Sequence, residues 1–83
     1  MSEVINILKR YKGEMKEKDF AKKLKLSPQY INDVLKGRRE IGIKRAVEIG
    51  KVLGDVAELE LIFVIMNQIL KQAKSKYKAW IEL

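Results

Sequence analysis

Residues Lys16 to Gly37 read KEKDFAKKLKLSPQYINDVLKG, two short helical stretches separated by a tight turn, with apolar residues only where a core needs them. On a helix that advances about 100° per residue, Phe20 and Leu24 share one face. Ala21 beside them is small enough to let another helix approach. Leu26 plugs the turn. Ile31 and Val34, three apart, form the inward face of the second stretch, with Leu35 on its flank. Ser27-Pro28 opens that stretch, since Ser is a favoured N-cap and Pro lacks an N–H that would be unpaired at the first helical position. Gly37 closes it as a C-terminal cap.

The segment resembles the helix-turn-helix of the phage repressor (Cro/cI-like, Xre) family, and Glu3 to Gly54 follows that family's five-helix layout. The family motif is an apolar-Ala pair in the first helix, a Gly in the turn and an apolar residue six positions later. This chain supplies Phe20-Ala21 and Ile31 and replaces the turn Gly by Lys25. If the turn keeps the family's shape, Lys25 must take a left-handed backbone conformation at a cost of roughly 1 kcal/mol. The resemblance implies an all-α fold that lays the second helix of the motif in the major groove of double-stranded DNA. It also implies a transcriptional regulator that acts as a repressor.

The flanking pattern agrees with helices throughout. Val4, Ile5, Leu8 and Tyr11 predict a first helix over about Glu3 to Tyr11, ended by Gly13. A second spans about Glu17 to Leu24, with Glu17 and Asp19 where the helix dipole stabilises acids. A fourth spans about Ile43 to Leu53, burying Ala46, Val47, Ile49 and Leu53 and ending at Gly54. With the resemblance, these elements imply a DNA-binding domain over residues 1–54.

Residues 55–83 contain neither Gly nor Pro, and Val56, Leu59, Phe63, Met66, Leu70, Ala73, Tyr77 and Trp80 recur three and four apart. That is a heptad seam. At about 1.5 Å per residue the helix approaches 40 Å, more than the preceding domain can cover. Ile62, Ile65 and Ile69 add a second apolar row, and Leu61 to Met66 is apolar all round. The pattern predicts burial against the domain's own helices and against a second subunit, with Leu59, Phe63, Met66, Leu70, Ala73, Tyr77 and Trp80 forming the homodimer seam. The β-branched run at residues 59–65 also fits a strand. The continuing seam favours helix.

Composition excludes several classes. The chain has 83 residues with no Cys and no His, which removes disulfides, thiol chemistry, Cys/His zinc sites and an imidazole base. No spacing of the remaining carboxylates and amines converges on a substrate, so neither an enzyme nor a cofactor is expected. Leu61 to Met66, the longest apolar run, is far too short to span a bilayer, and the start of the chain has no apolar leader core. The expectation is a soluble, cytoplasmic protein. Residues 1–54 hold 14 Lys and Arg against 7 Asp and Glu, whereas residues 55–83 balance four against four. The entire net charge of +7 therefore lies on the segment carrying the motif, and a polyanion is the partner such asymmetry favours.

With Ile31 and Val34 inward, Gln29, Asn32, Asp33 and Lys36 face outward and Tyr30 lies at their edge. Amides pair with adenine, Lys donates to guanine and Asp accepts from cytosine, so these four are the candidate base readers. Lys16, Lys18, Tyr30, Arg38, Arg39, Lys44 and Arg45 flank them as candidate phosphate contacts. In the resembling family a Gln at the start of the motif's first helix commonly binds phosphate. Glu17 stands there in this chain, which disfavours that contact and leaves it to Lys16 or Lys18. Two other readings share this sequence: an antitoxin that binds DNA and masks a toxin with its C-terminal helix, and a protein-interaction module without DNA binding.

Overall fold

In the computed structural model, which describes residues 3–76, helices fall where periodicity and caps put them. They are α1 (Glu3–Lys12), α2 (Glu17–Lys23), α3 (Pro28–Leu35), α4 (Ile43–Leu53) and α5 (Asp55–Lys76). There is no strand among the described residues, and residues 59–65 are helical. The β-branched run loses to the longer helical seam because α5 seats it against helices that offer no strand edge to pair with.

Local chemistry sets the motif. The Ser27 hydroxyl accepts from the Tyr30 N–H at 3.1 Å, satisfying one of the open donors at the start of α3. α2 and α3 end alike. In α2 the Leu26 N–H bonds the Ala21 carbonyl at 2.9 Å and Lys25 bonds Lys22 at 3.1 Å; in α3 Arg38 bonds Asp33 at 2.8 Å and Gly37 bonds Val34 at 3.1 Å. Both are Schellman caps, which need a left-handed residue after the last turn. Gly37 provides it with φ 78°, and Lys25 provides it with φ 59°. The turn has kept its geometry despite the missing Gly, so the strain anticipated for Lys25 is present.

One core joins all five helices. Leu8, Phe20, Ile31, Val34, Ile49 and Leu61 are its largest fully buried side chains, each contributing about 1.5–3 kcal/mol on burial. Ile7 is buried on α1 where Ile5 was expected to share that role, and Ile5 is half-buried. Val47 and Leu53 are likewise half-buried, on the rim of the core.

Gly50 decides how closely α4 and α5 meet. A Cβ there would lie 2.4 Å from the Glu58 Cα, so only hydrogen fits between the two backbones. α5 consequently lies against α4, and Ala57, Leu61, Val64 and Ile65 are buried. Of the second apolar row only Ile65 is buried; Ile62 is half-buried and Ile69 exposed, because the row drifts around the helix away from the core. Glu60 accepts hydrogen bonds from Arg10 and, at 3.3 Å, from the Tyr11 hydroxyl, tying α5 to α1. That bond from Arg10 to Glu60 raises the guanidinium pKa.

The seam of α5 points the other way. Val56, Leu59, Phe63, Met66 and Leu70 are exposed, Phe63 by 68% and Leu59 by 69%. Ala73 is half-buried, and Tyr77 and Trp80 lie outside the described residues. Among those residues no helix is long and apolar enough to cross a membrane.

Candidate nucleic-acid interface

α3 is a rod fixed by Ile31 and Val34 underneath and by a cap at each end. Its outer side is wet. Gln29 and Lys36 are exposed, while Asn32 and Asp33 are partly covered by neighbouring side chains. Gln29 Nε2 donates to Asp33 Oδ1 at 3.0 Å, one turn on along the same face. Arg38 reaches the same Asp33 oxygen at 3.4 Å, an exposed contact worth little that a phosphate can replace. Asn32 Nδ2 donates to Glu17 of α2, at 3.1 Å to Oε1.

Beside this row lies a compact cationic group. The Arg39 and Arg45 guanidinium carbons sit 5.2 and 5.3 Å from the centre of the Tyr30 ring. Such cation–π contacts are worth about 0.5–1 kcal/mol each at exposed sites. Tyr30 thereby gathers two cations from different segments, the loop after α3 and the start of α4. Arg45 also pairs with Glu48 at 3.1 Å. Among the described residues Lys16, Lys18, Lys36, Arg39 and Lys44 have no carboxylate within ion-pair distance. Their charge is available to an external anion.

Three features of this surface were not read from the sequence. Lys9 and Lys12, at the end of α1, line one groove with Glu17 and Lys36, because α1 ends beside the C-terminal turn of α3. Glu17 touches Asn32 of the outward row directly. Tyr30 is the hub of two arginines. Periodicity along one helix cannot reveal such neighbours, which belong to different elements. No group of three or more metal-ligating side chains is present among the described residues.

A capped, half-polar helix held by a second across a tight turn, ringed by unpaired cations, defines a helix-turn-helix nucleic-acid-binding domain. The family model described as Helix-turn-helix matches residues 7–61, more than half of the chain. The chain belongs to that family, the Cro/cI-type, Xre-like helix-turn-helix proteins, and is a DNA-binding regulator. No curated protein and no solved structure matches it.

Proposed function

We propose that this protein is a dimeric transcriptional repressor that binds a palindromic operator through the major groove. The observation that carries the reading is the coexistence of two unlike free surfaces: the polar face of α3 among uncompensated cations, and the bare apolar stripe of α5. The first suits a duplex. The second suits another copy of the same stripe, because its seam is near-neutral and its heptad spacing is self-complementary. Gln29, Asn32, Asp33 and Lys36 read base edges, while Lys16, Lys18, Tyr30, Arg38, Arg39, Lys44 and Arg45 engage or organise contacts to the backbone. Two copies joined through α5 present two reading helices to half-sites about one helical turn, or roughly 34 Å, apart. Occupying that stretch of a promoter excludes other proteins from it.

Selection of bound fragments from random duplexes tests the proposal directly. The expected product is an inverted repeat with half-sites spaced by about ten base pairs. Enrichment of a single, asymmetric site would overturn the dimeric reading, and absence of any enriched sequence would overturn base reading. On the selected site Gln29→Ala or Asn32→Ala should cost about 1–3 kcal/mol, with little loss on random duplex.

A further inference from the structure

Glu17 occupies the first turn of α2, yet its carboxylate faces the reading helix. Asn32 Nδ2 lies 3.1 Å from Oε1 and 3.4 Å from Oε2, so one amide nitrogen addresses both oxygens. A carboxylate only accepts hydrogen bonds. The Asn32 amide must therefore turn its nitrogen toward Glu17, because the flipped amide would set oxygen against oxygen. Among the described hydrogen bonds none reaches Asn32 Oδ1, which stays available as an acceptor. Glu17 is itself only half exposed, in the groove it shares with Lys9, Lys12 and Lys36.

We propose that Glu17 is a specificity-determining positioning residue: it fixes the order in which Asn32 offers acceptor and donor to a base pair, and it weakens attraction to the phosphate backbone in doing so. The inference rests on the base-reading role proposed for Asn32. A free carboxamide can present its oxygen and its remaining N–H in either order. Held by its nitrogen, it presents them in one. A base pair and the same pair inverted display their donors and acceptors in opposite order across the major groove, so a fixed amide separates them and a free one does so less. The second effect is electrostatic. A negative charge beside the reading row opposes every duplex alike, since backbone attraction is independent of sequence. Glu17 thus lowers general affinity while sharpening the choice among sites.

The test uses the full chain with three variants, Glu17→Ala, Glu17→Gln and Asn32→Ala. Each is titrated with the selected site, with that site carrying the Asn32-dependent base pair inverted, and with random duplex. Glu17→Ala should lose about five-fold or more of the discrimination between the first two and bind random duplex about two- to five-fold tighter. Glu17→Gln, which retains an acceptor for Asn32 without the charge, should match that gain on random duplex and keep more discrimination than the alanine variant. A merely structural role would instead weaken binding to all three duplexes and lower the unfolding temperature. Unchanged discrimination in Glu17→Ala, or weaker binding to random duplex, overturns the inference. If Asn32→Ala itself leaves discrimination unchanged, base reading by Asn32 fails and this inference with it. If Asn32→Ala loses discrimination while Glu17→Ala does not, only the role of Glu17 is refuted.

Discussion

α3 and α5 each bury one face in the same core, and they differ in what they turn outward. α3 shows amides, a carboxylate and a lysine beside a cluster of lysines and arginines; α5 shows Leu59, Phe63, Met66 and Leu70. Water solvates the first surface well and the second poorly. Burial against the core says which residues hold the domain together, whereas the opposite face of the same helix says what chemistry the domain can meet. A polar face exchanges water for a charged, hydrogen-bonding partner at little net cost. An apolar face gains about 25 cal/mol for every Å² removed from water.

The largest expected effect breaks the apolar half of this contrast. Phe63→Asp combined with Leu70→Asp should convert the proposed dimer to monomer in sedimentation velocity. Each such side chain buried at an interface contributes about 1.5–3 kcal/mol, and a dimer joined through α5 would bury both copies. Because Phe63 and Leu70 are 68% and 61% exposed within one chain, the monomer should still unfold cooperatively, with a midpoint lowered only by the loss of association. A persistent dimer would move the interface away from α5.

Next in size is a change that tests how α5 is seated. Gly50→Ala inserts a methyl group 2.4 Å from the Glu58 backbone, and urea denaturation should report a loss of about 3 kcal/mol, at the upper end of the range for overpacking. For a small domain that is a large share of the total stability. A loss well under 1 kcal/mol would mean that α5 slides along α4 without penalty.

The polar half is probed by Arg39→Ala. Binding to all duplexes should weaken to a similar degree, and the slope of log affinity against log salt should flatten by about one unit. An unaltered slope would remove Arg39 from the proposed phosphate contacts and leave it as a partner of Tyr30 alone. The smallest effect concerns the turn that presents α3. Lys25→Gly should stabilise the fold by about 0.5–1 kcal/mol, as relief of left-handed strain exceeds the added entropy of the unfolded chain. Destabilisation on thermal melting would show that the Lys25 side chain contributes packing that outweighs its backbone strain.

Much of this fold is legible in the amino-acid sequence alone. Ser27, Pro28 and Gly37 marked the ends of α3 because capping is a local matter, decided within a few residues by unpaired backbone groups. The motif likewise identified Lys25 as the residue required in a left-handed conformation. The wheel sorted Ile31 and Val34 from Gln29, Asn32, Asp33 and Lys36 for the same reason of short range. Less accessible was which of several apolar rows on α5 would face the core. Residues 61–66 are apolar on every side, and a helix hydrophobic all round has no preferred face until a neighbour is supplied.

The sequence by itself determined the helices, their limits and the segment that carries the positive charge, since each follows from spacing, capping and composition along one chain. Only the tertiary structure decided that Gly50 sets the distance between α4 and α5, that Tyr30 collects Arg39 and Arg45, and that Glu17 holds Asn32. Those contacts join residues on different elements. Their existence depends on the angle and depth at which helices pack, which side-chain volume in a shared core fixes and which no periodicity within a single helix contains.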